Sequence, residues 1–302
     1  MSIEPFGFLV VDKPQGMTSH DVVAKTRRGT GIKRIGHVGT LDPLATGMLV
    51  LCVGAATRLS EYVMHTDKLY MATVRLGIET STYDAEGEVI STADARHISK
   101  DQIDRALGRF RGAILQVPPM YSAIKQGGKK LYELAREGQV VERDPRPITI
   151  HAIHTYETQR PHDIPNVLDA KIVVWCSSGT YIRSIAHDLG ETLGVGAHLV
   201  ALHRRIIGGF QHMTPWGTML AAFHDGSWRQ FLWDETIALS SIPALHLSDE
   251  ETLFVQQGRL IGENAAVDGT LRRAYTADGK FLAILAAREG HWHPHKVFSS
   301  AD

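Results

Sequence analysis

Cysteine is scarce in this chain, and long apolar runs are absent from it. Its 302 residues include two cysteines, Cys52 and Cys176, each within an apolar run. This usage excludes a disulfide framework and indicates core residues of a reducing compartment. Asp12, Lys13 and Pro14 interrupt the only early apolar run, and no apolar stretch approaches the length of a membrane span. We therefore expect a cytoplasmic protein with no membrane partner.

An excess of charge of one sign is also lacking. The 32 lysines and arginines nearly balance the 33 aspartates and glutamates, which leaves a net charge of -1. Any argument for a nucleic-acid partner therefore depends on local clusters of basic residues. Two stretches without acidic residues supply such clusters: Lys25, Arg27, Arg28, Lys33 and Arg34, and then Arg105, Arg109, Arg111, Lys125, Lys129 and Lys130. The first cluster is either a solvated helix end or a surface that binds phosphates.

One segment stands out by its glycines. Residues 36–47, GHVGTLDPLATG, place three glycines, a proline and two threonines around a single carboxylate, that of Asp42. Glycine permits backbone angles that other residues avoid and proline fixes φ, so this segment is a tightly shaped loop. The apolar run at 48–53 is typical of a buried strand. The loop therefore presents Asp42 beside a core strand, although an Asp-Pro turn that only ends an element has the same sequence.

Residue spacing places further candidates on strands and helices. Residues 68–76 alternate between apolar and polar side chains, which predicts a strand with Tyr70 on its buried face. Thr18 and Asp21 have the spacing of a capping box, which predicts a helix start.

A second helix start carries an arginine. Thr180 is expected to cap this helix, with Tyr181 and Arg183 in its first turn. A cation is mildly disfavoured at a helix N-terminus, so we expect an anion such as a carboxylate to hold Arg183. The alternative is an ordinary surface arginine.

Two further segments have their own character. The basic stretch from Arg105 to Lys130 is irregular at 116–123, and with the glycines and lysines that follow it indicates a mobile basic arm. The composition changes towards short strands and turns after about residue 242. The second segment predicts a compact, β-rich terminal module of about sixty residues. Its histidines, His291, His293 and His295, have no cysteine or carboxylate to complete a tetrahedral site, so we expect no metal there.

Four motifs, in order, resemble those of the TruB/dyskerin-type family of pseudouridine synthases. They are DKPQG at 12–16, GHVGTLDPLATG at 36–47, PPMYSAIK at 118–125 and SGTYIRS at 178–184. The resemblance covers residues 7–210, and the terminal module is similar to the PUA-type RNA-binding domain of many members. Ser81 and His203 stand where the family often has aspartate and arginine, and neither is a catalytic position.

The resemblance implies an α+β fold built on one large, curved, largely antiparallel sheet with flanking helices. It implies a catalytic domain at 1–242, with an RNA-gripping insertion at about 116–146, and a PUA-like module at 243–302. The implied activity is the isomerisation of uridine to pseudouridine at position 55, in the T stem-loop of tRNA. Neither a metal nor an organic cofactor is expected. We expect a monomer, because a tRNA binds as a unit along one face.

The resemblance also assigns residue roles. Asp42 matches the catalytic aspartate, Tyr70 the tyrosine that stacks on the target base, and Arg183 the arginine that pairs with the aspartate. His37 matches the histidine that helps to open the T loop. The remaining positions expected to bind substrate are Tyr181, Leu202, Lys13, Lys125, Lys129 and Lys130.

These residue types suit the implied chemistry. A base buried in a folded loop must be flipped out, at a free-energy cost of a few kcal/mol, and stacking on a tyrosine returns about 1–3 kcal/mol. A carboxylate can attack C1′ or C6, or remove the C2′ proton, and a guanidinium beside it favours the ionised form. Tyr70 can also help to remove the C5 proton at the end.

Two other hypotheses compete with the isomerase. One is a tRNA-binding or tRNA-folding chaperone that opens the T loop and in which the isomerase chemistry is secondary. The other, an aspartate-nucleophile hydrolase, is disfavoured because Pro43 and Leu44 follow Asp42, where such enzymes carry a different motif and need a metal. For the terminal module, we expect deletion to weaken tRNA binding more than it lowers turnover at saturating RNA.

Overall fold

The computed structural model describes residues 5–122, 124–139, 141–263 and 266–298. Side chains are not described for Lys125, Gln126, Lys130, Tyr132 and Arg136. The helices are α1 (Ser19–Thr30), α2 (Ser60–Met64), α3 (Lys100–Leu107), α4 (Leu131–Arg136), α5 (Ile182–Leu193), α6 (Trp216–Asp225), α7 (Glu235–Ala238) and α8 (Asp249–Gln256). Short 3-10 helices lie at Gly54–Leu59, Gly108–Phe110 and Ser227–Phe231.

The strands of the first 242 residues are β1 (Gly7–Lys13), β2 (Ile35–Val38), β3 (Thr46–Val53), β4 (Lys68–Leu76), β5 (Ile78–Thr80), β6 (Val89–Thr92), β7 (Gly112–Gln116), β8 (Lys125–Gln126), β9 (Lys129–Lys130), β10 (Arg146–Gln159), β11 (Leu168–Cys176), β12 (Ala197–Ile207), β13 (Thr214–Pro215) and β14 (Leu232–Trp233). The terminal module adds β15 (Ala244–His246), β16 (Ile261–Glu263), β17 (Leu271–Tyr275), β18 (Phe281–Arg288) and β19 (His291–Val297). Among the described residues, no helix combines the length and the apolar character needed to cross a membrane.

One curved, 10-stranded sheet forms the body of the molecule, in the order β13-β1-β3-β12-β4-β11-β10-β7, with β14 added on β1 and β2 on β3. The β1–β13 and β3–β12 pairs are parallel, and the other pairs are antiparallel. The prediction of an α+β fold on a largely antiparallel sheet is therefore confirmed. Because β3, β12 and β4 are neighbours, the segments attached to them meet at the centre of the sheet.

The alternation predicted for β4 is present in the structure. Lys68, Tyr70, Ala72, Val74 and Leu76 are buried, and the residues between them are partly exposed. The buried face packs against α3 and α5 in one large apolar cluster. Tyr70 thus lies at the edge of a rigid core.

Of the two helix caps predicted from local sequence, the structure contains one. The capping box of Thr18 and Asp21 is present at the start of α1, as predicted. The prediction that Thr180 caps α5 is wrong. The capping position is Tyr181. The Thr180 hydroxyl donates to the carbonyl of Ser177 at 2.9 Å, within the turn that precedes the helix, so it does not cap the helix.

The terminal module is β-rich, as predicted, with a five-stranded sheet in the order β15-β17-β18-β19-β16. It shares a core with the large sheet, because Ile284 and Phe298 are buried in the same cluster as Val10 and Val50. A guanidinium nitrogen of Arg58 also donates to the carbonyl of Val297 at 2.7 Å. The module is thus packed onto β1 and β3.

This shared core generates a stability prediction. Phe298 is 6% exposed and its ring centroid lies 5.2 Å from that of Phe281. We expect Phe298→Ala to lower the free energy of unfolding of the whole chain by about 3 kcal/mol, because it leaves a cavity between the module and the sheet. The measurement is urea denaturation followed by circular dichroism.

The control is Val267→Ala, since Val267 lies in the same module and is 81% exposed. This variant is expected to unfold like the original chain. Two separate unfolding transitions, with the loss confined to one of them, would contradict a shared core.

Candidate active site

The Asp42 loop, residues 39–45, connects β2 to β3 and is held along its length. The Ser19 hydroxyl donates to the carbonyl of Leu41 at 3.2 Å, and the Leu41 amide donates back to it at 2.9 Å. The amide of Gly16, in the turn after β1, donates to the carbonyl of Pro43 at 2.8 Å. The loop is thus rigid, and it leaves the side chain of Asp42 42% exposed.

Arg183 reaches this carboxylate from the first turn of α5. Its Nη2 lies 2.9 Å from Oδ2 of Asp42 and also donates to the carbonyl of Tyr121 at 2.8 Å. The side chain of Arg183 is only 8% exposed. The structure therefore supplies the carboxylate partner that the position of this arginine led us to expect.

A second carboxylate, on Asp84, is a site residue that the sequence reasoning missed. Its side chain is 4% exposed, and its Oδ2 lies 3.4 Å from Nη1 of Arg183. Oδ1 accepts hydrogen bonds from the hydroxyl of Thr82 at 2.6 Å and from the amide of Glu86 at 3.1 Å. The available signal was a Thr-x-Asp pattern in a loop that ends at glycine, since short polar side chains there bond to each other and to the backbone. Arg183 is consequently shared between an exposed carboxylate and a buried one.

The loop that carries Asp84 contains a strained residue. Tyr83 has φ of 64°, which is unusual for a bulky side chain. Its ring stacks on that of His187 in α5, with centroids 3.8 Å apart and planes 10° apart. Backbone hydrogen bonds join Tyr83 and Ala85 to Leu199 of β12, each at 2.9 Å. These contacts fix Asp84 against Arg183.

Tyr70 and Leu202 form an apolar wall of the site. Tyr70 is 8% exposed, and Leu202 packs against the cluster to which Tyr70 belongs. Burial is the main cause that raises the pKa of the Tyr70 phenol above its ordinary value, and the charge of Arg204 partly opposes that effect. The hydroxyl is therefore protonated at neutral pH.

His37 lies on β2, at the start of the Asp42 loop. Its Nε2 is 3.2 Å from the hydroxyl of Thr40, and its ring meets that of His20 edge-on with centroids 5.1 Å apart. Burial, followed by the charges of His20 and Arg204, lowers the pKa of His37 to about 4. His37 is therefore neutral at physiological pH.

Tyr181 lies between the site and the basic arm. Its amide donates to Oε1 of Gln116 at 2.8 Å, and its carbonyl accepts from Nε2 of the same side chain at 3.0 Å. Burial raises the pKa of its phenol. Gln116 is the first residue of the arm, so the arm begins on the helix turn that carries Arg183.

Lys13 has a different environment from the one expected of a residue that contacts substrate. It is fully buried, and its ammonium donates to the carbonyls of Met17 at 2.6 Å and Pro14 at 3.0 Å. Burial lowers the pKa of Lys13 to about 8, and the nearby charge of Asp42 opposes that effect. This geometry favours a role in closing the turn after β1 over a surface contact with RNA, because a charged group usually becomes buried only when it is fully hydrogen-bonded.

The basic arm is described in part. β8 and β9 form a small hairpin that precedes α4. Lys129 is exposed and pairs with Glu137 at 3.0 Å. The predicted contributions of the Lys125 and Lys130 side chains, and residue Ala123 of the third motif, lie outside the described residues.

One group of side chains in the described ranges has the types and proximity of metal ligands. The ligand atoms of His187, Asp188 and Glu191 lie within 4.8 Å of one another on α5. Glu191 is exposed, and His187 is engaged in the stack with Tyr83. An acidic helix face of this kind is common without a metal, so we assign it none.

The site thus combines an accessible carboxylate, a buried guanidinium against it, and an apolar wall with a protonated phenol. A carboxylate in this setting can act as a nucleophile or as a base. His37 lies on β2 just before the Asp42 loop, and the base of the arm contacts the Arg183 guanidinium through the carbonyl of Tyr121. This arrangement presents an accessible carboxylate beside a buried cation.

Comparison with known proteins identifies the family. Residues 27–182 match the family model described as TruB family pseudouridylate synthase, N-terminal domain. The chain is 41% identical to the tRNA pseudouridine synthase B of Arthrobacter sp. (strain FB24), over 98% of this chain and 97% of that protein. It is 44% identical to the protein of the same name from Mycobacterium leprae, over 92% of this chain and 86% of that protein.

Solved structures agree in fold. A chain from an H/ACA ribonucleoprotein bound to a substrate RNA containing 2′-deoxyuridine has a TM-score of 0.74, with 23% sequence identity over 98% of this chain and 86% of that one. A chain from a Cbf5-Nop10-Gar1 complex also has a TM-score of 0.74, with 24% identity over the same shares. From the family model and from relatives above 40% identity along nearly the whole sequence, it follows that this chain belongs to the TruB family of pseudouridylate synthases.

Proposed function

We propose that this chain isomerises uridine to pseudouridine in tRNA, at position 55 of the T loop. The observation that carries the proposal is the ion pair between Asp42 and Arg183, on a rigid loop beside Tyr70, in a chain of this family. Relatives above 40% identity bear the name tRNA pseudouridine synthase B. Membership of this family favours the isomerase over a chaperone that only folds tRNA.

The first step in the proposed mechanism is extrusion of the target base from the T loop. His37 enters the folded loop as a neutral, flat side chain, so no charge has to be desolvated against the RNA. The flipped uracil stacks on Tyr70 and contacts Leu202. Stacking of about 1–3 kcal/mol offsets part of the free energy needed to unstack the base.

Asp42 then carries the chemistry. Attack at C1′, attack at C6 and removal of the C2′ proton all begin from the ionised carboxylate, which the guanidinium of Arg183 stabilises in each case. The C1′–N1 bond breaks, the uracil turns, a C1′–C5 bond forms, and the C5 proton leaves. Because burial keeps the Tyr70 phenol protonated, stacking is its main role, and removal of the C5 proton by its hydroxyl is secondary.

Contact with the rest of the tRNA is assigned to exposed basic residues. Lys25, Arg27, Arg28, Lys33 and Arg34 are all exposed and, among the described residues, form no ion pairs. Exposed cations that no carboxylate neutralises are suited to phosphates. Lys125, Lys129 and Lys130 of the basic arm and the PUA-like module at 243–302 are proposed to extend this surface. We further propose that the enzyme acts as a cytoplasmic monomer with its catalytic domain at 1–242.

A tritium-release assay tests the function directly. The chain is incubated with an unmodified tRNA transcript carrying tritium at C5 of its uracils, and the tritium released to water is counted. We expect release that maps to the T-loop uridine, and we expect Asp42→Asn to abolish it while transcript binding stays nearly intact, because the amide is not a nucleophile or base.

The matched control is Asp94→Asn, which removes an exposed aspartate paired with Arg96 and is expected to retain full activity. Tritium release by Asp42→Asn at the original rate would disprove the assignment of Asp42. A chain that binds the transcript but releases no tritium would instead act as an RNA-folding protein.

Salt dependence tests the basic surface on α1 and β2. We expect the logarithm of the tRNA association constant to fall steeply with the logarithm of salt concentration, and the double variant Arg28→Ala, Lys33→Ala to lower that slope by about two. Lys171→Ala is the control, because its amine is paired with Glu157 at 2.8 Å. The assay is filter binding at several salt concentrations, and equal slopes for all three proteins would remove this surface from the proposal.

The protonation state of His37 is a further prediction. Because its folded-state pKa is about 4 against an ordinary 6.5, the unfolded chain binds this proton first as the pH falls. The contribution of neutral His37 to stability is therefore present above pH 6.5 and is lost between 6.5 and 4. We expect its ring resonances, assigned by their loss in His37→Gln, to stay constant in NMR spectra from pH 8 down to 6.5. A midpoint near 6.5 would show that His37 enters the RNA with partial charge.

A further inference from the structure

A buried arginine outside the predicted set lies behind the Asp42 loop. Arg204, on β12, is 2% exposed, and none of the carboxylates in the described ranges forms an ion pair with it. An unpaired buried charge is unfavourable unless its hydrogen bonds are satisfied. We propose that Arg204 is a positioning residue that holds the Asp42 loop in a fixed arrangement relative to Tyr70 on the neighbouring strand. The inference rests on the proposed function and names a further residue on which that reaction depends.

The guanidinium holds both ends of the loop. Its Nη2 donates to the carbonyl of Gly39, the first loop residue, at 2.6 Å. Its Nε donates to the carbonyl of Met48, the third residue of β3 after the loop, at 2.9 Å. The planar guanidinium points its donors in fixed directions, so one side chain sets the distance between the two ends of the loop.

The glycines at the two ends let the backbone reach Arg204. Gly39 has φ of +70°, and a Cβ there would lie 3.2 Å from Nη1 of Arg204. Gly47 has φ of +97°, and a Cβ there would lie 2.3 Å from the carbonyl oxygen of Arg204. Gly47 and Arg204 are also partners in the parallel pairing of β3 with β12. Close contacts with the side chain and the backbone of Arg204 therefore explain why positions 39 and 47 of the motif are glycine.

The same side chain reaches Tyr70. Arg204 and Tyr70 are direct neighbours across the β12–β4 pair, and the charge of Arg204 acts on the pKa of the Tyr70 phenol. Arg204 therefore contacts the strand that carries the stacking tyrosine as well as the loop that carries the aspartate.

This connection matters because the reaction depends on relative position. The carboxylate of Asp42 must meet an atom of a nucleotide whose base is held by Tyr70, and a displacement of about 1 Å can lower the rate about 100-fold. Arg204 has no path to substrate of its own, since it is buried under the loop. Its effect on the reaction is exerted through Asp42 and Tyr70.

The test is Arg204→Lys, which keeps the charge but cannot donate in two fixed directions at once. We expect the single-turnover rate of tritium release at saturating transcript to fall about 10- to 100-fold, while the Kd for transcript changes less than about threefold. The control is Arg205→Met, because Arg205 is the next residue on β12 and is exposed. This control is expected to keep its single-turnover rate.

A double-mutant cycle separates positioning from general stability. If Arg204 acts partly through Tyr70, Arg204→Lys lowers the rate less in a Tyr70→Phe background than in the original chain. Losses that simply multiply, or a loss no larger than the fall in folded fraction measured by circular dichroism, would overturn the proposal. If Arg204→Lys does not fold, Gly39→Ala disturbs the same contact from the loop side, and a full rate from this variant would also overturn it.

The two proposals fail in different ways. An original chain that releases no tritium removes the proposed function and this inference with it. An active original chain whose folded Arg204→Lys variant is equally active removes only the inference about Arg204.

Discussion

The shared ion pair of Arg183 is the interaction on which the site depends. Its guanidinium is bound on the buried side by Asp84, which is 4% exposed, and on the solvent side by Asp42, which is 42% exposed. Loss of one partner from a buried ion pair destabilises a protein by about 3–5 kcal/mol, because the other charge stays buried and unpaired. Asp84 therefore lets Arg183 stay buried while Asp42 remains open to substrate. A single guanidinium thereby fixes the Asp42 loop, the loop of Asp84 and the start of α5 relative to one another.

The parts of this fold that follow from neighbouring residues could be predicted from the sequence. The alternation along β4, the capping box of Thr18 and the tight loop around Asp42 are all local, and the structure contains each of them. The position of Arg183 at a helix start also indicated an anionic partner. A local Thr-x-Asp pattern indicates the loop of Asp84 but not its contact with Arg183, and Arg204 could not be found in this way. The contact of Arg204 with Gly39 joins residues 165 positions apart, and no local pattern encodes it.

At two positions the fold uses a side chain differently from its usual tendency. Lysine is seldom fully buried, and the family resemblance assigns Lys13 to substrate binding. The structure instead buries it beneath the loop and satisfies its ammonium with the carbonyls of Met17 and Pro14. Thr180 has the right type and spacing for a helix cap, yet its hydroxyl closes the turn before α5. In both cases the side chain donates to backbone carbonyls of the neighbouring turn.

The terminal module shares an apolar cluster with β3, the strand that follows the Asp42 loop. β3 begins directly after the Asp42 loop, and one face of this strand, through Met48, Val50 and Cys52, lies in the cluster that also holds Ile284 and Phe298 of the module. The strand is thus packed by the module on one side while the carbonyl of Met48 accepts the hydrogen bond of Arg204. The module therefore also supports the strand that follows the Asp42 loop. Because of this packing, loss of the module is expected to disturb turnover together with binding, which differs from the expectation drawn from sequence alone.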